Sequence, residues 1–367
     1  MSGSPAPDAD ASDSDALRTR DSPAARCPAP LRDYRNVTLG HGGGGMLTAE
    51  LIEGVFQPAF ANALVTCLSD STVVPLPGTR IALTTDSYVV QPLFFPGGNI
   101  GSLAVNGTVN DLAMVGATPL YLTAGFILEE GLPIEVLRQI AQEMGRAARE
   151  AGVSIVAGDT KVVQRGQEDG CYINTSGVGS IPTDCQLSVD QACEGDAVLI
   201  SGEIGNHGMA IMSEREGLQF ESPIRSDVAA LNELVQQLLA SAPETRAMRD
   251  PTRGGLAGCL NEIATASRCG IEIDESAVPV DESVRAACEF LGLDPMQVAN
   301  EGKLVAIVPA SSAEQALVAM QSHPLGRRAA IIGSVIADPH HLVVARTLVG
   351  ANRIVPMPLG EQLPRIC

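Results

Sequence analysis

VSIVAGDTKVV, residues 153–163, reads as a strand that ends on chemistry. The apolar run from Val153 to Ala157 is bounded by Gly158, as strand runs are, and a carboxylate, a hydroxyl and an ammonium follow as Asp159, Thr160 and Lys161. Just upstream, Ile134, Leu137, Ile140, Met144, Ala147 and Ala151 recur at the spacing of one helix face, which predicts an amphipathic helix feeding that strand. Strand-like runs recur at Arg80–Thr85, Tyr121–Phe126, Tyr172–Val178 and Ala197–Ser201, and a second helical pattern runs through Val228, Leu231, Leu234, Val235, Leu238 and Leu239. Strands alternating with helices predict an α/β or α+β architecture. A chain of 367 residues exceeds what one core usually organises, so two domains are expected.

The expected organisation is a disordered extension over 1–36, rich in Ser, Ala, Pro and Asp, a first domain over 37–182, a second over 183–342 and an arm over 343–367. Pro356, Pro358 and Pro364 keep that arm from continuing as helix, since proline lacks the N–H a helix needs. Its last residue is Cys367.

Composition narrows the function. The net charge of -19 opposes a phosphodiester polymer or an anionic membrane, and 3% aromatics with no Trp offer little for bases to stack on, so neither nucleic acid nor membrane is an expected partner. No apolar run nears the roughly 18 residues of a spanning helix, and no secretory signal is evident, so the expected location is cytoplasmic. Nine cysteines without a C-x-x-C fit reduced thiols better than a disulfide framework or a zinc site.

An anionic ligand on so acidic a chain needs cations. Asp86 in TTDSYVV, Asp111 in GTVNDLA and Asp159 in VAGDTK each follow or interrupt an apolar run. Carboxylates at strand ends can converge on Mg²⁺, a hard cation that keeps waters beside nucleotide phosphates. Singly, each Asp is more often a turn former or helix cap than a metal ligand. No Walker motif occurs, and Gly40, Gly42 and Gly45 form a G-x-G-x-x-G without a good preceding strand. The run His41–Gly45 is either a hinge or a cradle of amides for phosphate.

At these residues the chain resembles the superfamily of aminoimidazole ribonucleotide synthetase, selenophosphate synthetase and thiamine monophosphate kinase. Within it, the chain is similar to the HypE family of hydrogenase maturation. The resemblance rests on HGGGG at 41–45, DSYVV at 86–90, FFPGGNIG at 94–101, GTVNDLA at 107–113, AGDTKVV at 157–163, RDPTRGG at 249–255, NEG at 300–302 and the closing PRIC at 364–367. DTKVV together with a terminal PRIC is the specific combination. Cys27 stands well upstream of the glycine run, unlike the reactive cysteine of selenophosphate synthetases.

The resemblance implies a two-domain PurM-like fold working as a homodimer. It implies an ATP-dependent carbamoyl dehydratase that turns a thiocarbamate on its own cysteine into a thiocyanate, the cyanide source for the iron of [NiFe]-hydrogenase. It places His41, Gly42, Gly43, Asp86, Asn110, Asp111, Asp159 and Thr160 around ATP, with Asp86, Asp111 and Asp159 on Mg²⁺. Lys161 and Glu301 stand near the reacting group, Glu301 as base, and Cys367 carries it. The partners it implies are a HypF-type carbamoyltransferase and the HypC–HypD iron scaffold. Two alternatives keep the fold: a small-molecule kinase or synthetase in which Cys367 is irrelevant, and an ATP-responsive docking scaffold.

Overall fold

The computed structural model describes residues 34–38, 51–60, 80–166, 169–183, 185–217, 224–347, 349–358, 363 and 365–367. The glycine run at 41–45, with His41, Gly42 and Gly43, lies outside the described residues, as do 1–33.

Residues 34–38 pack rather than trail. Val37 is buried and donates its N–H to Leu132 at 2.8 Å, and Ile134 donates to Arg35 at 2.9 Å. The end of the expected extension over 1–36 is thereby corrected, because Tyr34 packs against the first core and the Arg35 carbonyl is bonded to Ile134.

The first unit comprises β1 (Arg80–Tyr88), α1 (Ile100–Met114), β2 (Thr118–Glu129), α2 (Ile134–Glu150), β3 (Ser154–Val163) and β4 (Cys171–Ile181). The strands form a sheet in the order β1-β4-β2-β3, antiparallel except for the β2–β3 pair. Strand alternation decides which residues can meet. On β1, Ala82, Thr84, Asp86 and Tyr88 are the more buried set, whereas Ile81 and Leu83 point away and are 50% and 69% exposed. One face of the sheet is therefore covered by α1 and α2, and the other carries exposed apolar side chains.

The periodicity that predicts α2 does not predict α1. Its N-cap Asn99 accepts from Gly101 at 2.8 Å and Ser102 at 3.1 Å, and the helix is buried at every position except Asp111. A helix apolar on all sides has no stripe to read. Its glycines make room: a Cβ on Gly107 would collide with the Tyr88 hydroxyl.

The second unit holds β5 (Ala197–Ile200), α3 (Asn206–Glu216), α4 (Asn232–Ser241), β6 (Ala247–Arg249), α5 (Gly255–Ser267), β7 (Gly270–Asp274), α6 (Glu282–Leu291), β8 (Val305–Val308), α7 (Ala313–Gln321), β9 (Ala330–Ile336), β10 (Val343–Arg346) and β11 (Asn352–Ile354). The sheet order is β11-β10-β7-β9-β5-β8-β6. Strands β5 and β8 are buried along their whole length. Leu256, Leu260 and Ile263 of α5 pack with one set of sheet residues, and Leu234 and Leu238 of α4 with Ala316 and Met320 of α7 pack with the other.

Two expectations are corrected here. The helix read from Val228 begins only at Asn232, because residues 226–231 form an irregular strap tied to Asn110 of α1 and to the Glu301 loop. The arm expected from 343 begins after Ile354: Val343–Arg346 pairs in parallel with Ile271–Asp274, and Asn352–Ile354 turns back on it. Val343 and Ala345 are buried, an alternation that proline interrupts only from Pro356 onward.

Candidate active site

Asp111 is the one half-buried residue of the otherwise buried α1, and Thr84 of β1 donates to it at 2.8 Å. Asp86 lies two residues further along the same face of β1. Burial raises the Asp111 pKa, the Thr84 hydrogen bond opposes this, and the Asp86 charge raises it again. Asp250, just after β6, is pushed up to about 7, chiefly by burial and then by Asp111. Glu301 is 3% exposed. Burial raises its pKa well above the usual carboxylate value, and Asp250, Asp227, Asp86 and Asp111 add to the rise. Carboxylates from separate segments thus feel each other in a poorly solvated space, the arrangement that an incoming cation relieves.

The loop bearing Glu301 is held by its backbone. Its N–H donates to Asp227 at 3.2 Å, and its carbonyl accepts from Asn110 Nδ2 at 3.3 Å. Asn110 also donates to Ala229 at 3.0 Å and accepts from Leu231 at 2.8 Å, so its amide braces the strap against the Glu301 loop. Lys303 pairs with Asp227 at 3.1 Å. A Cβ on Gly302 would run into the Asp227 carbonyl, so only glycine lets strap and loop approach this closely. The carboxylate itself is left over: Glu301 Oε1 is buried with no hydrogen-bond partner. A buried polar atom without a partner costs about 1–3 kcal/mol, which a fold retains where a ligand will meet it.

Asp159 and Lys161 lie elsewhere. They project from the open face of the sheet, 3.8 Å apart, with side chains 73% and 66% exposed, opposite the face that bears Asp86. Thr160 points inward and is buried. Within one chain, Asp86, Asn110, Asp111 and Glu301 are brought together, and Asp159 and Lys161 are not. Asp111 also proves to sit on a helix rather than at a strand end.

The arm returns to the first unit beside β1. After Val355, whose N–H reaches Val343 at 2.8 Å, the chain arrives at the extension of β1. Gln91 donates to the Arg365 carbonyl at 3.1 Å, and Val89 donates to the Cys367 carbonyl at 3.4 Å, an alternate-residue pattern like one edge of an antiparallel ladder. Arg365 forms an ion pair with Asp169 at 2.7 Å, and its carbonyl also accepts from Arg215. Ile366 is 2% exposed, and its carbonyl lies 2.8 Å from His207 Nε2. Cys367 is half-buried, in no disulfide, and packs against the first core. Val89 is three residues from Asp86, about 10 Å along an extended strand.

Sequence reasoning missed Asp250, Asp227, Tyr88 and His207. Nothing in RDPTRGG singles out its Asp from a turn former, and a lone buried His gives no periodic signal. Tyr88 is fully buried, its pKa raised well above the usual value by burial and then by Asp86.

The comparisons with known proteins agree with this architecture. The descriptions AIR synthase related protein, N-terminal domain and C-terminal domain match residues 68–181 and 194–345, so fold and cleft define an AIR synthase-related enzyme. The carbamoyl dehydratase HypE of Azotobacter vinelandii is 56% identical over 337 residues, covering 91% of this chain and 99% of that one. A crystal structure of the hydrogenase maturation protein HypE in complex with ATP superimposes with a TM-score of 0.87 at 50% identity, covering 90% and 99% of the two chains. A HypE–HypF complex structure matches with a TM-score of 0.74 at 52% identity over 84% and 99%. The chain belongs to the HypE family of carbamoyl dehydratases, enzymes of hydrogenase maturation.

Proposed function

We propose that this chain uses ATP to dehydrate a carbamoyl group carried on Cys367, giving a thiocyanate that supplies cyanide to the iron of [NiFe]-hydrogenase. One observation carries the reading: the arm seats Cys367 on the extension of the strand whose Asp86 acts electrostatically on the buried Glu301 carboxylate, one atom of which has no partner. The relative solved with ATP supports the nucleotide.

The oxygen of a thiocarbamate is a poor leaving group, and transfer of the γ-phosphoryl group onto it solves this. The carbonyl oxygen bonds to phosphorus as ADP leaves, and nitrogen loses its first proton to solvent. Glu301 takes the remaining N–H proton as the C–O bond breaks, phosphate departs and the C≡N bond forms.

Among the described residues no three His, Cys, Asp or Glu side chains form a ready metal cage. Mg²⁺ bound beside nucleotide phosphates needs only one or two carboxylates, and Asp111, poorly solvated and repelled by the nearby Asp86, fits that requirement together with Asp86. Bound there, Mg²⁺ would neutralise phosphate charge. We assign Asp159 and Lys161 to a site completed by a second copy. The open sheet face that carries them also exposes Ile81, Leu83 and Ile127, which is the support for a homodimer. His41, Gly42, Gly43 and Thr160 remain assigned to the nucleotide by family resemblance. A HypF-type carbamoyltransferase as loading partner is supported by the related HypE–HypF complex, and the HypC–HypD scaffold is the proposed acceptor. No helix among the described residues is long and apolar enough to cross a membrane.

The fate of the carbamoyl oxygen tests the chemistry. With heavy oxygen in the carbamoyl group, the label is expected in inorganic phosphate, one atom per turnover. Unlabelled phosphate with label in water would overturn phosphoryl transfer to that oxygen.

A further inference from the structure

His207 stands at the start of α3 in the second unit, fully buried, with both ring nitrogens engaged. Nε2 is 2.8 Å from the Ile366 carbonyl, and Nδ1 is 2.7 Å from Ser226 Oγ. A carbonyl can only accept, so Nε2 carries the proton. In the neutral ring Nδ1 then accepts from the Ser226 hydroxyl, and burial, which lowers the His207 pKa, favours that neutral form. Ser226 Oγ in turn accepts the Val228 N–H at 3.1 Å. Phe95 packs edge-on against the imidazole, ring centroids 5.4 Å apart, so the ring cannot swing freely.

Ser226 begins the strap whose Asp227 and Ala229 hold the Glu301 backbone. The strap therefore anchors the Glu301 loop and, through Ser226, orients the ring of the histidine that holds the arm one residue before Cys367. We propose that His207, oriented by Ser226, is the positioning residue that seats the Cys367 arm beside β1, coupling arm docking to placement of Glu301. It touches no reacting atom. It acts through the Ile366 carbonyl, and its effect falls on the step performed with the arm docked and not on loading of an undocked thiol.

The first test does not depend on the proposed chemistry. In the full chain, the alkylation rate of Cys367 is followed by peptide mass spectrometry for the native protein, His207→Ala, His207→Gln and Ser226→Ala. Loss of a buried hydrogen bond shifts the docked population by roughly 10-fold or more, so Cys367 should alkylate about that much faster in His207→Ala. His207→Gln, which retains a donor, should recover most of the native rate, and Ser226→Ala should fall between. Native alkylation in both His207→Ala and Ser226→Ala would overturn the seat. Folding is checked by melting, and Ser226→Ala, a smaller change, carries the test should His207→Ala not fold.

The second test rests on the dehydration reading. After loading with a carbamoyl donor, addition of ATP should dehydrate His207→Ala about 100-fold more slowly than native chain, the scale of a 1 Å misplacement, with loading no slower than native. A parallel fall in loading and dehydration would contradict a docked-state role. If native chain loses no water, the dehydration reading fails while the alkylation result still decides the seat.

Discussion

Cys367→Ala is expected to take up no carbamoyl adduct and to form no nitrile product, while melting and ATP binding stay close to native. The loss should be complete, because the thiol is the atom to which the substrate is bonded and no neighbouring group replaces it. The fold should hardly notice: the arm is tied down through backbone carbonyls of Arg365, Ile366 and Cys367, which alanine keeps. Intact mass after loading, with ATP binding measured separately, checks both halves. Full product from Cys367→Ala would make the arm incidental and favour a small-molecule synthetase. Product lost together with ATP binding would point to a structural role.

Glu301→Gln is expected to load normally and then accumulate the carbamoyl form, with dehydration slowed by about 10²–10⁴-fold, the usual range for a general base. Glutamine keeps the shape, and the loop is held by backbone contacts to Asp227 and Asn110, so placement should survive. The pH dependence follows in sign. A base must be ionised, and burial with neighbouring carboxylates raises the Glu301 pKa, so protonation disables it at a pH where an ordinary glutamate is still charged. Asp250 ionises through about 7, and its charge strengthens the pull on a cation as pH rises. Native dehydration should therefore climb with pH through the neutral range, and the residual rate of Glu301→Gln should lack the Glu301 limb. Unchanged turnover in Glu301→Gln would remove it as the base.

The sequence made parts of this legible and hid others for definite reasons. A one-sided helix such as α2 announces itself by spacing, and strands such as β4 by alternating burial. The buried α1 has no exposed face to contrast with, so its strongest signal was a lone Asp in an apolar run. Asp86, Asp111, Glu301 and Cys367 were nameable through short motifs at turns and ends. Which sheet face Asp159 and Lys161 occupy was not legible, because it depends on register across β2 and a bulge at Leu122. His207, Ser226 and Asp227 act through contacts between segments distant in sequence, which composition and spacing do not encode. The strap at 226–231 illustrates the point: its apolar residues fit a helical pattern, yet hydrogen bonds to Asn110 and the Glu301 loop keep it out of the helix.

The central claim is that one sulfur atom carries the substrate from loading to dehydration within this fold. Its most direct measurement is a single turnover of the native chain, loaded with a carbamoyl group, mixed with Mg²⁺ and ATP, quenched in time and read by intact mass and by the mass of the Cys367 peptide. The expected result is a carbamoyl form on Cys367 that loses one water as one phosphate is released. An adduct that persists on Cys367 while ATP is consumed, or a water lost from another residue, would contradict the account.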